Sequence, residues 1–315
     1  MSGLRCSRLA QLRDMTMGGR ADVVVIGGGP AGLTAATYLG RFLRSVVVLD
    51  AGDSRARYIP ASHNCPGFPH GIAGDALLDR LREQAEESGA ELVRARAEGL
   101  EYSADGFVVE AGGRSWQAAK VILATGLADR LPDVPWAEEA IACGALRLCA
   151  VCDAYEARDG RIAILGPAAA LGGHARFLRG YTGRLAAIPT DGDLEAAAEA
   201  KLRALDVQVL PSGGELRFDG KRCRWEVADE SAAEVFDTVY PYLGYEGRNA
   251  LVADWGLEAG EEGELKVDSH QQTGRPGLYA VGDVVSGLNQ ISVAVGQAAV
   301  AATHAHNSLQ FAPRG

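Results

Sequence analysis

Two cysteines stand three positions apart in Cys149-Ala150-Val151-Cys152, and an acid, Asp153, follows the second at once. A pair at this spacing can close as a small disulfide ring or open as a dithiol. Its chemistry needs thiolate character, which the local field sets. A carboxyl behind the second cysteine can give a proton to the departing thiol or take one from the attacking thiol. A disulfide alone only equilibrates with other disulfides, so net electron flow needs a two-electron partner nearby. Half a zinc site or two buried small residues are the alternatives. Zinc would ask for two more ligands at matching spacing, and no second CxxC or HxxxH follows. The spacing therefore points to redox work.

A second constellation could hold the partner. Ala21–Ile26 is an apolar, β-branched run that reads as a buried parallel strand. Gly27-Gly-Gly-Pro-Ala-Gly32 follows, then a helical stretch to about Leu43, a strand over Ser45–Leu49, and Asp50. Strand, GxGxxG, helix, strand and acid together make a weak motif specific. Gly27 allows the tight turn, Gly29 lets the backbone approach a pyrophosphate, and Gly32 lets helix and strand pack closely. Pro30 and Ala31 complete the turn, whose helix N-terminus holds phosphates. Asp50 accepts from a ribose. FAD and NAD share this motif, so it does not choose between them.

The middle of the chain repeats the pattern in damaged form. Arg161–Leu165 is a strand, Gly166 opens a turn, a helix runs to about Arg179, and Arg184–Ile188 is a second strand. Ala168, preceded by Pro167, stands where the second glycine belongs, and Leu171 stands where a small third residue belongs. A methyl there costs close approach to a pyrophosphate. After the second strand comes Pro189-Thr-Asp-Gly192, with no arginine cluster for a 2′-phosphate and with Asp191 to repel one. The ordinary NAD(P)H site is thus expected to be lost.

The elements that must position these residues are those of an α/β protein with two Rossmann-like three-layer domains. Asp75 is expected to cap a helix bearing Leu77, Leu78, Leu81 and Ala85. Phe107–Glu110 and Arg114–Gln117 read as a hairpin, and Lys120–Gly126 as a separate buried strand ending at a ligand crevice. Leu131–Pro135, with two prolines, reads as a domain crossing. Glu215–Phe218 and Lys221–Val227 flank an Asp-Gly turn. Val235–Val239 reads as one more strand before the chain crosses back near 240–248. Gly277–Asp283 reads as a strand ending in Gly-Asp, followed by an Ala-rich helix from about Ile291 to Leu309.

Composition bounds the function. The chain has 315 residues, 47% hydrophobic and 23% charged, which suits two globular domains. With 31 basic and 41 acidic residues the net charge is −10, which argues against a nucleic-acid partner. No apolar run approaches the ~18 residues that span a bilayer, so no membrane partner is expected. Six cysteines in a chain this size do not make a disulfide scaffold, and beside a redox motif they suggest the reducing cytoplasm. Residues 1–20 carry four arginines against Asp14. They are expected to be a flexible leader, or a start codon placed ahead of Met15 or Met17, rather than a transit peptide.

With these pieces placed, the chain from Ala21 on resembles the low-molecular-weight thioredoxin reductase family. The resemblance is carried by Gly27–Gly32, Asn64-Cys-Pro-Gly-Phe68, Ala124-Thr-Gly126, Cys149–Asp153, and Gly282-Asp283 with Gln290 behind it. It implies an FAD domain split in sequence, 21–127 and 240–315, around a CxxC-bearing insert at 128–239, in a homodimer. It implies that Cys152 faces the flavin, Cys149 exchanges with the substrate disulfide, and Asp153 moves the proton. It assigns FAD contacts to Gly27, Gly29, Pro30, Ala31, Gly32, Asp50, Asn64, Thr125, Gly126, Gly282, Asp283, Gln290 and Ile291.

The departures matter equally. Family members carry an intact GxGxxA and a His-Arg-Arg run in the insert, and this chain has neither. Some relatives work without a pyridine nucleotide, taking electrons from ferredoxin or passing them from small dithiols to oxygen. The expectation is therefore an FAD-dependent thiol–disulfide oxidoreductase without ordinary NADPH binding, its partner a thioredoxin-like protein or a small dithiol. A conventional NAD(P)H-dependent thioredoxin reductase, an oxygen-dependent dithiol oxidase and a non-catalytic flavin redox sensor are the alternatives. Ala154 replaces the family's glycine after Asp153. Cys65 and Cys143 are expected to be structural, and His63, His70 and His174 to be surface or core residues in loops or at a helix start. No metal site is expected.

Overall fold

The computed structural model of the chain describes residues 16–228, 233–260, 262–285, 287–311 and 313. Its strands are β1 (Thr16–Ile26), β2 (Val46–Asp50), β3 (Glu91–Arg94), β4 (Ala97–Ser103), β5 (Gly106–Ala111), β6 (Arg114–Leu123), β7 (Leu127–Asp129), β8 (Arg161–Gly166), β9 (Arg184–Pro189), β10 (Gln208–Val209), β11 (Glu215–Phe218), β12 (Cys223–Glu226), β13 (Glu234–Phe236), β14 (Thr238–Pro241), β15 (Tyr245–Gly247) and β16 (Leu278–Ala280). Its α-helices are α1 (Pro30–Arg41), α2 (Gly74–Glu87), α3 (Ala137–Ala142), α4 (Ala150–Asp153), α5 (Ala168–Leu178), α6 (Ala196–Ala204) and α7 (Ile291–Asn307). The described residues of Met1–Ala56, Ala76–Ala128 and Gly247–Gly315 form one unit, and Arg57–Asp75 with Asp129–Glu246 form a second.

The first unit is built on a sheet of order β3-β2-β1-β6-β5-β4, with β16 also on β6. Strands β1, β2, β6 and β16 are parallel, and their carboxyl ends are level: Ile26 pairs with Leu49 and Leu123, and Leu123 with Ala280, with Asp50 next after Leu49. Four carboxyl ends therefore open at one edge, where ligands of open α/β sheets bind. Val24, Ile26, Val47, Leu49, Val121 and Leu123 share one apolar cluster. The alternate residues Val23, Val25, Val46, Val48 and Ile122 are buried too, so both faces are covered, as parallel strands require. Helix α1 packs on α7, whose Ala294, Ala298, Ala301, Ala302 and Ala305 form its buried face.

Three expectations change here. The segments read as a hairpin strand at 114–117 and a buried strand at 120–126 are one strand, β6. One of its edges pairs with β1 throughout, while the other takes β5 over 114–118 and β16 over 121–123. The leader expected over 1–20 is already strand by Thr16, because β6 extends to Arg114 and its edge is paired there by Thr16 and Met17. Residues 1–15 of that expected leader lie outside the described residues. Asp75 sits in the first turn of α2, which begins at Gly74, rather than capping it.

The second unit has a parallel sheet of order β10-β9-β8-β14. Period-two alternation sends Ala163, Leu165, Ala186, Ile188 and Val239 into a cluster with α3 and the antiparallel sheet β11-β12-β13. Ile162, Ile164, Leu185, Ala187 and Tyr240 go to the opposite cluster, with α5 and α6. Three layers result. The strand expected over Val235–Val239 is divided at Asp237 between the two sheets. Its backbone N–H donates to the Arg161 carbonyl and its carboxylate accepts from the Arg161 N–H. Because β14 pairs with β8, Tyr240 opposite Ile164, residues 240–246 belong to this unit. The chain passes between the units at 56–57, 75–76, 128–129 and 246–247, against expected boundaries at 127–128 and 239–240. Among the described residues no helix is long and apolar enough to cross a membrane.

Candidate functional site: a cysteine turn and a glycine turn

Cys149 is the N-cap of α4, and its carbonyl accepts from the N–H groups of Cys152 and Asp153 at 3.0 and 3.2 Å. That single turn brings the two sulfurs together as a disulfide. Both cysteines are half-buried, and Val151 between them is exposed. Ala154 has φ −63°, so this turn asks for no glycine and the alanine sits there unstrained.

Asp153 faces inward, its side chain 17% exposed. Tyr240 donates its hydroxyl to Asp153 Oδ1 at 2.8 Å, and Arg147 Nη1 lies 3.0 Å from Oδ2. Burial pushes the carboxyl above the usual aspartate range, while the Arg147 charge and the Tyr240 hydrogen bond pull the other way. Backbone pairing makes the three converge. Val239 N–H donates to the Ala145 carbonyl and Arg147 N–H to the Val239 carbonyl, so residues 145–147 run beside β14. Tyr240 is the next residue of that strand and is fully buried. Its hydroxyl must find a partner, and the carboxylate supplies it. Tyr242 takes a hydrogen bond from the Ala150 backbone, and its ring stacks on His174.

The glycine turn lies in the first unit, at the carboxyl ends of β1, β2, β6 and β16. Gly27 has φ +115°, and a methyl on it would sit 2.2 Å from the Ala124 carbonyl oxygen. A methyl on Gly32 would sit 1.9 Å from the Gly27 carbonyl oxygen. Gly29 is the N-cap of α1 and has no side chain to cap the helix, and Pro30 opens it. The N-terminal amides are thus left for an anion. Asp50 ends β2, accepts from the Gly52 N–H at 2.8 Å, and has Arg82 at 3.7 Å. Gly282 (φ +75°) packs on Ala31 and Ala294 and donates its N–H to Gln297 Oε1 at 2.8 Å. Asp283 pairs with Arg55 at 3.2 Å, and Gln290 caps α7 ahead of Ile291. Thr125 Oγ1 is buried with no partner among the described residues, and Gly126 beside it has φ +68°. A glycine-lined helix start, an acid at the end of the next strand and a buried hydroxyl with no partner among the described residues fit a dinucleotide such as FAD. Asn64 belongs to the second unit, where its side chain accepts from Ser62 Oγ at 3.1 Å.

The second repeat meets its helix differently. The Ala168 N–H, first of α5, donates to Asp191 Oδ1 at 2.9 Å. Leu171, at the position that packs Gly32 in the first repeat, is fully buried among Ile164, Ala175 and Leu202. The fingerprint's third small residue has become a core residue, and its helix start is claimed by a carboxylate of the chain itself.

The remaining predicted residues fall into place separately. Cys65 is partly buried, and burial pushes its thiol up, away from thiolate character. Cys143 is exposed at the end of α3. His174 lies within α5 rather than in a loop, against Tyr242, and burial lowers its basicity. Sequence reasoning missed Arg147, Tyr240 and Tyr242. Their only signal was an arginine two positions before the first cysteine and two tyrosines at alternate positions near a strand end.

With this geometry in hand, comparison with known proteins is specific. A model of the family described as pyridine nucleotide-disulphide oxidoreductase matches residues 21–298. A protein named thioredoxin reductase from Mycolicibacterium smegmatis is 30% identical over 276 residues, covering 84% of this chain and 88% of the relative. One of the same name from Peptoclostridium litorale is 28% identical over 308 residues, covering 92% and 97%. The crystal structure of thioredoxin reductase from Streptococcus pyogenes superposes with a TM-score of 0.81 at 26% identity, covering 91% of this chain and 97% of that one.

Proposed function

We infer the function from one premise: the chain belongs to the pyridine nucleotide-disulphide oxidoreductase family and is a flavin-dependent disulfide oxidoreductase of thioredoxin reductase type. From there we propose that the Cys149–Cys152 pair exchanges two electrons with bound FAD and then with a disulfide or dithiol substrate. The reaction runs without a pyridine nucleotide in the ordinary site. FAD supplies the two-electron couple that a lone disulfide lacks. Gly27, Gly29, Pro30, Ala31, Gly32, Asp50, Thr125, Gly126, Gly282, Asp283, Gln290 and Ile291 would hold it, and the family resemblance adds Asn64. Cys149 meets the substrate, Cys152 meets the flavin, and Asp153 carries the proton.

One observation carries nucleotide independence: the Asp191 carboxylate accepts from the first amide of α5. A pyrophosphate placed there would meet a like charge within about 4 Å, worth about 4 kcal/mol near a protein surface. Ala168 and Leu171 deny it the close approach as well. In an anaerobic titration of the yellow holoprotein, a small dithiol should bleach the flavin near stoichiometry, and NADPH and NADH should not. Stoichiometric bleaching by either nucleotide overturns this reading. It would favour the second one, a conventional NAD(P)H-dependent thioredoxin reductase, supported by the relatives' names and by the intact β8–α5–β9 repeat. The same preparation, offered reduced ferredoxin, oxygen with a dithiol, and oxidised thioredoxin, sorts donor from acceptor. Its mass in solution tests the expected homodimer.

A further inference from the structure

The Asp153 carboxylate is held at both oxygens from within its own unit. Tyr240 occupies Oδ1 and Arg147 occupies Oδ2. Both donors are fixed by one strand, since Arg147 N–H is bonded to Val239 and Tyr240 follows Val239 in β14. We propose that Arg147 and Tyr240 are positioning residues for the disulfide step, holding the Asp153 carboxylate in one orientation and governing when it carries a proton. This rests on the reading that the cysteine pair turns over with Asp153 as its proton carrier.

In that step a substrate thiolate bonds to Cys149 Sγ. The Cys149–Cys152 bond breaks, with its electron pair on Cys152 Sγ. Asp153 gives that sulfur a proton, and in the reverse direction it takes the proton back. A carboxyl can do both only if its charge is neither locked on nor locked off. Burial favours the neutral form, and the two donors oppose that.

The groups that face Asp153 divide the work. Arg147 is the cation and Glu156, three residues on, the anion. Tyr240 and Tyr242 both have hydroxyls pushed well above the ordinary phenol by burial and by the Asp153 charge. Tyr240 therefore stays a neutral donor at every working pH and does not carry charge itself. His174, stacked on Tyr242, has its basicity lowered by burial. Arg147 is thus the group that favours the ionised carboxylate by charge, and Tyr240 favours it by one hydrogen bond.

The test is the pH profile of flavin reduction by a small dithiol, followed by anaerobic stopped flow. Wild type, Arg147→Gln, Arg147→Lys and Tyr240→Phe are compared. An opposite charge at this range moves a carboxyl by roughly 1 to 3 pH units. Arg147→Gln should move the carboxyl inflection upward by that amount. Arg147→Lys, which keeps the charge but not the planar fork, should move it less. Tyr240→Phe should move it upward by less than Arg147→Gln does. An inflection that stays put in all three, with only thermal stability changed, overturns the proposal and assigns both residues to packing. If Arg147→Gln fails to fold, Arg147→Lys and Tyr240→Phe decide the matter alone. A wild type that no dithiol reduces, or a Cys152→Ser variant that keeps disulfide turnover, defeats the underlying reading and this inference with it. A normal wild type with unmoved variants defeats only the inference.

Discussion

Among the described residues Gly29 offers no side-chain cap to the first amides of α1, whereas at the start of α5 the Ala168 N–H is already bonded to Asp191 at 2.9 Å. Both helices follow a parallel strand and a tight turn, and both are followed by a second strand and an aspartate. Their third fingerprint positions have opposite duties. Gly32 is kept bare by a carbonyl oxygen that a methyl would meet at 1.9 Å. Leu171 is fully buried and fills the space between sheet and helix with its own side chain. The contrast teaches that two repeats can share a strand–turn–helix order while the first amide of one is already bonded to a carboxylate of the chain. The core tolerates the exchange because burying a leucine stabilises the layer packing. A phosphate at that helix start would have to compete with the Asp191 carboxylate for the same few amides.

Three substitutions break or sharpen that comparison. The largest effect is expected from Gly32→Val. With no room beside the Gly27 carbonyl, the turn must deform, and the purified protein should lose its flavin absorbance altogether. Retention of stoichiometric FAD would show that the first turn is more plastic than the glycine contacts indicate. Next comes Leu171→Ala, which opens a cavity in the second unit and should cost about 3 kcal/mol in denaturant unfolding while leaving FAD content as in wild type. A loss of flavin there, or no loss of stability, would erase the distinction between the two positions. The smallest effect belongs to Asp191→Ala. Removing a cap costs about 1 kcal/mol, and alone it should confer no bleaching by NADPH, because Ala168 and Leu171 remain. Combined with Ala168→Gly it should raise nucleotide affinity measurably by calorimetry, and a double variant that binds no better than wild type would remove Asp191 from the account of the second turn.

Much of this architecture was readable from residue order alone. The β-branched runs at 21–26 and 161–165, each followed by a glycine, predict the two parallel sheets, because only strands buried on both faces lack polar alternation. The cysteine spacing predicts a closable ring, since one helical turn brings positions 149 and 152 together. Ala168 in place of the second glycine and Leu171 in place of a small third residue mark the second turn as different from the first by side-chain volume alone. Other features could not be read. Strand β6 looked like two segments because its edge partners change midway, which depends on β16, more than 150 residues later. Val235–Val239 looked like one strand because apolarity does not say which sheet receives each half.

What the sequence determined by itself, then, is local: which stretches extend or coil, where a backbone must be bare, and which thiols can meet within one turn. These follow from side-chain volume and backbone geometry over a few residues. Tertiary structure decided who faces whom. Asp153 lies 87 positions from the hydroxyl that occupies one of its oxygens, and Asp191 lies 23 from the amide it claims. No residue type announces either contact, because each depends on strands laid side by side. Long-range pairing in β14 and β9 turned an acid behind a cysteine into a clamped carboxylate, and brought an acid behind a strand onto the first amide of α5.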